Sequence, residues 1–147
     1  MTHYNFYGWK DSQNVRPISS DYRGITSPCS LYDVLMGLWC QYSCAPRMRQ
    51  NWSEDNPTLG QCSITAFLAQ DIFGGKVYGI PRPDGSCHCY NVVGGHTFDL
   101  TSEQFQGEAL SYEGNPEQFR EVHFSREEKR QRYEYLRSEL KKAVDRL

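Results

Sequence analysis

The sequence predicts a single α+β domain in which a central helix packs on a small antiparallel sheet. Helix-like segments come first along the chain, short strand-like segments follow, and a charged helix comes last. The segment from Gly60 to Phe73 carries apolar side chains on two faces, which is typical of a buried helix. The pair Gly94-Gly95 lies between two strand-like segments, which predicts a two-residue hairpin. The 147 residues are enough to bury a core without staples.

The first predicted helix follows an irregular segment. Residues 1–27 are aromatic and polar, and we interpret them as an N-terminal arm ahead of a single domain over residues 28–147. Ser27 is a good N-cap and Pro28 suits the first helical position, so a helix is expected to begin there. Apolar residues then recur at helical spacing: Leu31, Val34, Leu35 and Leu38. We expect this helix to end within Cys40–Cys44.

The central helix follows a polar loop over residues 45–59 and is expected from about Gly60 to Phe73. The pair Gly74-Gly75 ends it, because glycine adopts the left-handed backbone that closes many helices. Three strands are predicted after it: Lys76–Ile80, His88–Val93 and His96–Leu100. These segments form the small antiparallel sheet on which the helix packs.

The last part of the chain is predicted to be a loop followed by a long helix. Residues 101–124 are mostly loop, with a short helix near Ser102–Phe105. A capping box over Ser125-Arg126-Glu127-Glu128 starts the final helix. Its apolar side chains form one stripe: Tyr133, Leu136, Leu140, Ala143, Val144 and Leu147. The rest of its surface is charged, which indicates a solvated, amphipathic helix docked by one face.

Composition argues against several functional classes. A net charge of −2 argues against a nucleic-acid or membrane-surface role, and no apolar run is long enough to span a membrane. The N-terminus has no basic region followed by an apolar stretch, so we expect no secretory signal and a cytoplasmic location. Thiols stay reduced in the cytoplasm, so the six cysteines are interpreted as free thiols, metal ligands or a catalytic group.

A histidine and an aspartate lie on the two arms of the predicted hairpin. If Gly94-Gly95 is a two-residue loop, Val93 lies opposite His96. Because side chains alternate along a strand, His88 then shares a face with Asp99. The two residues are diagonal neighbours, about 7–8 Å apart in backbone, a separation that their side chains bridge. His96 points to the other face, and a register shift of one residue would reverse this choice.

Cys62 opens the predicted central helix. The helix dipole and the free N–H groups stabilise a thiolate at this position and so lower the pKa of the cysteine, and a nearby imidazole lowers that pKa further. Asp99 would hold the tautomer of His88, while the Cys62 N–H and Gln61 are candidate donors to an oxyanion. A nucleophile, a base and an orienting carboxylate in this order predict thiol-based catalysis. The same residues also fit a small core cysteine and an ordinary surface pair.

Other residues carry weaker signals. Trp52 and Asn56 precede the cysteine and are interpreted as cleft walls or oxyanion donors, or, for Trp52, as a core anchor. Four cysteines form two close pairs: Cys40 with Cys44, and Cys87 with Cys89. Two such pairs fit a tetrahedral zinc site, but neither spacing is the usual one, and packing thiols are the alternative. We therefore favour no metal and expect no cofactor.

Four blocks of the sequence resemble a known family. The first runs from Trp52 to Ala66, with Gln70-Asp71 and Phe73-Gly74-Gly75-Lys76 beyond it. The second is His88-Cys89-Tyr90-Asn91, and the third is the segment from Phe98 to Phe105. The fourth lies in the C-terminal helix and comprises Phe124-Ser125-Arg126-Glu127 and Arg132-Tyr133-Glu134-Tyr135-Leu136. Together they cover roughly residues 31–140 and resemble the YunG-like family of small bacterial proteins. The chain departs from that pattern where Cys87 and Cys89 flank the histidine, and in its aromatic arm.

The layout of this family is similar to the papain-like and transglutaminase-like cysteine folds, which place a cysteine on a helix and then a histidine and an Asp or Asn on strands. The resemblance therefore implies Cys62 as nucleophile, His88 as base and Asp99 as orienter. It implies a hydrolase or acyltransferase, of peptidase, amidase or deamidase type, acting on an amide or thioester. Two alternatives are a non-catalytic module that binds a small molecule or a protein, and a zinc-stabilised interaction domain.

Overall fold

The computed structural model describes residues 4–146 and confirms the α+β class. The helices of this range are α1 (Pro28–Leu35), α2 (Cys62–Phe73), α3 (Arg120–His123) and α4 (Glu127–Val144). The strands are β1 (Lys76–Pro81), β2 (Cys87–Val93), β3 (His96–Phe98) and β4 (Glu117–Gln118). Two 3₁₀-helices lie in the loops, at Pro46–Asn51 and Ser102–Phe105. The predicted central helix, strands and short helix after β3 are thus present.

The strands form one antiparallel sheet in the order β3-β2-β1-β4. Val93 lies opposite His96 across the predicted two-residue turn, which confirms the hairpin register. Both turn glycines, Gly94 and Gly95, have positive φ, at +57° and +83°, the backbone that such a turn requires. The edge strand β4 was not predicted, because two polar residues carry no alternating pattern.

Helix α2 is the centre of the core and contacts β1, β2 and α4. Most of its side chains are buried, which agrees with the two-faced apolar pattern of its sequence. Two buried polar contacts fix its position: Asn91 Nδ2 donates to the carbonyl of Ala66 at 2.8 Å, and Trp39 Nε1 donates to Thr65 Oγ1 at 2.9 Å. Helix α4 covers α2 with the predicted stripe: Tyr133, Leu136, Leu140 and Val144 are buried, Ala143 is half-buried, and Leu147 lies outside the described residues.

Helix α1 is shorter than the sequence pattern predicted. Ser27 caps it as expected, in a capping box with Ser30. It ends at Leu35 and does not continue to Cys40–Cys44. The apolar spacing continues past Leu35, but the chain turns there and buries Trp39 against α2. The apolar residues that follow Leu35 therefore belong to a turn and not to the helix.

The start of α4 also differs from its prediction. No side-chain cap is present at Arg126, because the hydroxyl of Ser125 donates to the carbonyl of Val122 at 2.7 Å. The expected capping box therefore does not form. Ser125 closes the short helix α3, which the sequence pattern had predicted as loop.

The described part of the N-terminal arm, residues 4–27, has no regular helix or strand, but it contributes to the core. Phe6, Val15 and Ile25 are buried. The carbonyl of Tyr7 accepts a hydrogen bond from the backbone N–H of Asp99 at 2.9 Å. The arm therefore lies against the segment that leaves β3.

None of the helices within residues 4–146 has both the length and the apolar character that a membrane-spanning helix needs.

Candidate active site

The thiol of Cys62 lies at the first turn of α2 and is half-buried. Gly60 precedes it with a φ of +71°, and a Cβ at Gly60 would lie 2.5 Å from the Cys44 sulfur. Glycine is thus required where the loop enters the helix. No side chain caps α2, and the backbone N–H groups of Cys62 and Ser63 make no hydrogen bond within the described residues. These groups give the thiol a locally positive environment.

His88 and Asp99 form a buried hydrogen-bonded pair. His88 Nε2 lies 2.6 Å from Asp99 Oδ2, and the two residues are 2% and 0% exposed. The sequence predicted this pairing from the hairpin register, and the observed register agrees with it. The backbone N–H of Thr101 donates to the other carboxylate oxygen, Oδ1, at 3.3 Å. The carboxylate is therefore held at both oxygens.

Tyr112 is a third partner of the carboxylate. Its hydroxyl donates to Asp99 Oδ2 at 2.7 Å, and its ring stacks on Tyr7 with a centroid distance of 3.8 Å. Burial raises the pKa of Tyr112, and the charge of Asp99 raises it further, so the hydroxyl remains a donor. Tyr112 lies in a loop without a periodic pattern, and no sequence signal pointed to it.

The imidazole of His88 is covered by aromatic packing. The imidazole and the ring of Phe105 pack edge to face with a centroid distance of 4.6 Å. The guanidinium of Arg82 in turn lies over the Phe105 ring, 4.6 Å from its centroid. These groups keep water from one side of the imidazole. Burial lowers the pKa of His88, but the charge of Asp99 and its hydrogen bond outweigh that effect and raise the pKa to about 10.

The second imidazole nitrogen, His88 Nδ1, is buried and makes no hydrogen bond within the described residues. The Cys62 thiol is close enough for each group to shift the pKa of the other, although its approach to Nδ1 falls short of hydrogen-bond geometry. Contacts of this kind are often looser before substrate binds. A thiolate at Cys62 and an imidazolium at His88 therefore stabilise each other.

Two more thiols surround Cys62. A hydrogen bond from the Cys89 thiol lowers the pKa of Cys62 well below its usual range, and His88 lowers it further against the opposing effect of burial. The pKa of Cys89 is raised well above its usual value by the same bond, by its contact with Cys87 and by burial. Cys89 also lowers the pKa of Cys87, to about 7. Among these three thiols, Cys62 is the one that the environment favours as a thiolate beside an imidazole.

Cys62 and His88 line one cleft with a volume of about 740 Å³. The 3₁₀-helix at Pro46–Asn51, the turn between β1 and β2, and the first turn of α4 form its other walls. Most of the remaining side chains that line it are polar or charged. A cleft of this size accommodates a small molecule or a short segment of peptide.

Three residues that the sequence had placed at the cleft lie elsewhere. Gln61 is fully buried and its amide donates to the carbonyl of Cys40 at 3.1 Å, so it does not face the cleft as an oxyanion donor. The indole of Trp52 donates to the carbonyl of Pro57 at 3.0 Å, which fits the alternative of a loop anchor. Asn56 belongs to the same loop and bridges Ser53 through the backbone. None of the three lines the cleft that contains Cys62.

The four-cysteine zinc alternative does not assemble. No group of three or more His, Cys, Asp or Glu side chains within residues 4–146 is arranged to hold a metal ion. Cys40 instead donates to the hydroxyl of Tyr135 at 3.7 Å, and Cys87 donates to Gln118 Oε1 at 3.4 Å. These cysteines are free thiols that contact protein groups.

Comparison with known proteins places the chain in a family. A family described as YunG protein matches residues 27–145, a span that includes all of helices α1 to α4 and the sheet. A relative from Bacillus subtilis (strain 168), described as "Uncharacterized protein YunG", is 36% identical over 104 residues, which cover 71% of this chain and 83% of the relative. No solved structure matches the chain. On the extent of these two matches, the chain belongs to the YunG protein family.

Proposed function

We propose that this protein is a thiol-based hydrolase or acyltransferase that attacks an amide or thioester through Cys62. The observation that carries the proposal is the order of three groups from the cleft inwards: a half-buried thiol, the Nδ1 of His88, which has no hydrogen-bond partner within residues 4–146, and a buried carboxylate 2.6 Å from Nε2. A papain-like or transglutaminase-like arrangement has these three roles in this order along the chain.

Attack by the Cys62 thiolate forms a carbon–sulfur bond to the substrate carbonyl and moves one electron pair onto the carbonyl oxygen. The donor that we assign to that oxyanion is the backbone N–H of Cys62, which has no other partner among the described residues. Collapse of the intermediate breaks the bond to the leaving amine or thiol, which takes a proton from the His88 imidazolium. The product is a thioester on Cys62.

Water or a second amine then resolves the thioester. Neutral His88 takes a proton from the incoming nucleophile, whose lone pair attacks the thioester carbonyl. The carbon–sulfur bond breaks, Cys62 leaves as a thiolate, and His88 keeps the proton, so the starting ion pair is restored. Asp99 holds the orientation of His88 throughout the cycle through its hydrogen bond to Nε2. A cytoplasmic location suits this cycle, because it needs a reduced thiol.

Alkylation by iodoacetamide tests the proposal directly. Trypsin releases residues 50–76 as one peptide in which Cys62 is the single cysteine, so mass spectrometry follows this thiol alone. We expect Cys62 to react well below pH 8 at a rate at least about tenfold above the same peptide in denaturant, because its thiolate is populated there. In His88→Ala this advantage is lost. Lys142→Met, a change on the exposed face of α4, serves as the control and keeps it.

The alternative functions predict other results. A binding module on this fold predicts that Cys62 reacts like an ordinary or buried thiol in wild type and in His88→Ala. A zinc-stabilised domain predicts about one zinc ion per chain and unfolding on chelation. Either result rejects the proposal.

A further inference from the structure

We propose that the cleft selects acyl substrates that carry a carboxylate beside the scissile carbonyl, and that the ammonium group of Lys129 binds this carboxylate. The inference rests on the proposed function, because it assigns a substrate class to the site of Cys62. Lys129 belongs to the first turns of α4 and lines the same cleft as Cys62 and His88.

The charged side chains that line the cleft are mostly cations. The cations are Arg47, Arg82, Arg126, Lys129 and Arg132, and the carboxylates are Asp84 and Glu128. The cleft therefore carries a positive balance within a protein whose net charge is −2. A low-dielectric cleft lined by one sign of charge concentrates ligands of the other sign.

Several of these cations already have carboxylate partners. Three ion pairs are present: Arg47 with Asp84 at 2.8 Å, Arg82 with Glu108 at 3.1 Å, and Arg132 with Glu128. The other acidic residue in the first turn of α4, Glu127, pairs with Arg130. Within residues 4–146, Lys129 has no carboxylate in ion-pair range. Its charge is therefore available to a ligand.

A line of contacts connects Lys129 to the reactive thiol. Lys129 Nζ donates to His123 Nδ1 at 2.9 Å, and His123 Nε2 lies 2.8 Å from Gln118 Oε1. The Cys87 thiol donates to the same amide oxygen at 3.4 Å, and the Cys62 sulfur lies 3.8 Å from the Cys87 carbonyl. The ammonium and the thiol therefore belong to one wall of the cleft, so a ligand at the thiol lies within electrostatic range of the ammonium.

The partner of Lys129 leaves its charge uncompensated. Burial and, after it, the charge of Lys129 together lower the pKa of His123 to about 4, so the imidazole is neutral and accepts a hydrogen bond without adding negative charge. An ammonium has three N–H donors, and this bond uses one of them. Lys129 is also half-buried, and a cation in that position attracts an anion more strongly than one on the surface. A single compact ammonium matches a monoanion such as a carboxylate.

Iodoacetate and iodoacetamide test this proposal because they differ in charge at nearly the same size. Each is attacked by the thiolate at its CH₂ carbon, with loss of iodide. Because both meet the same thiolate, the thiolate fraction cancels in the ratio of their rates. We expect the iodoacetate-to-iodoacetamide ratio at Cys62 to exceed that of N-acetylcysteine by about tenfold at low salt. The excess falls as ionic strength rises.

Variants of Lys129 identify the responsible charge. In Lys129→Met the ratio falls to near that of N-acetylcysteine, whereas Lys129→Arg keeps most of it. Lys142→Met removes the same charge from an exposed position of the same helix, where Lys142 pairs with Glu139, and leaves the ratio unchanged. If Lys129→Met does not fold, Lys129→Gln, which keeps an N–H donor for His123, is measured in its place, and a wild-type ratio no higher than that of N-acetylcysteine overturns the proposal.

The outcomes separate this inference from the proposed function. Fast, His88-dependent alkylation by iodoacetamide without any preference for iodoacetate overturns the carboxylate proposal and leaves the thiol chemistry in place. Slow alkylation by iodoacetamide overturns the thiol chemistry, while the ratio still reports the charge at the cleft. An equal fall of the ratio in Lys129→Met and Lys142→Met shows a general field and rejects the role of Lys129.

Discussion

Replacing Asp99 with Asn tests how the protein holds His88. The variant turns the carboxylate that lies 2.6 Å from His88 Nε2 into an amide of the same shape. Burial lowers the pKa of His88, and the charge and hydrogen bond of Asp99 are the main effects that raise it to about 10. Without that charge, the pKa of His88 falls by about 1 to 3, and the imidazolium loses its proton at a correspondingly lower pH.

The variant also changes the tautomer of the neutral imidazole. If the amide of Asn donates to Nε2, the ring proton must sit on Nδ1, the nitrogen that has no hydrogen-bond partner within the described residues. A protonated Nδ1 on a neutral ring cannot accept the proton of the thiol. The loss of a triad carboxylate in this way lowers turnover by up to about 10⁴-fold, so we expect the alkylation of Cys62 at pH 7 to drop by at least tenfold.

Two measurements follow the change. Nuclear magnetic resonance of ¹⁵N-labelled histidine gives the titration midpoint of His88, which a His88→Gln spectrum assigns among the four histidines. Peptide mass spectrometry gives the alkylation rate of Cys62. Asp11→Asn is the matched control, because Asp11 pairs with His96 at 3.3 Å on the exposed surface, and it leaves both readouts unchanged. A His88 midpoint that moves by less than about half a unit in Asp99→Asn refutes the reasoning.

Three further predictions follow from the same contacts. Tyr112→Phe leaves one oxygen of the buried carboxylate without its hydroxyl donor, so urea denaturation shows a loss of about 1–2 kcal/mol while alkylation of Cys62 changes less than threefold. Gly60→Ala forces a Cβ against a thiol 2.5 Å away at a φ of +71°, and thermal denaturation shows a loss of about 2–4 kcal/mol, well above that of Gly85→Ala, whose Cβ meets open space. In wild type, the raised pKa of His88 and the lowered pKa of Cys62 have opposite effects on the pH dependence of stability, so the two contributions offset each other between the lowered pKa of Cys62 and its ordinary value near 9. In Cys62→Ser the charge of Asp99 still raises the pKa of His88, so stability falls as the pH rises above about 6.5, and a flat profile would contradict the ion pair.

The hairpin was predictable because local rules decide it. A two-residue Gly-Gly turn determines which residues lie opposite each other, and alternation then places His88 and Asp99 on one face. The central helix was predictable for a similar reason, since its apolar pattern covers two faces. These features depend on residues that are close in sequence, where spacing alone carries the information.

The rest of the site depends on contacts between distant segments. Tyr112 reaches Asp99 from a loop with no periodic pattern, and Lys129 faces the cleft because of how α4 docks. Gln61 was expected to face the cleft, but spacing does not report which way a residue ahead of a helix points, and its amide turns inwards to Cys40. Proximity to Cys62 in the sequence therefore did not predict which residues line the cleft.

The placement of α2 along β2 explains why the thiol and the imidazole meet at all. Alternate residues of β2 point to opposite faces: Asn91 bonds to Ala66 of α2 at 2.8 Å, whereas His88 points to Asp99 on the other face. A helix residue in the middle of α2 would be separated from His88 by the sheet. Cys62 is the first residue of the helix and lies at the start of the strand, so its sulfur reaches the imidazole around the strand end. The thiol and the imidazole are therefore close to each other only because the start of α2 lies beside the start of β2.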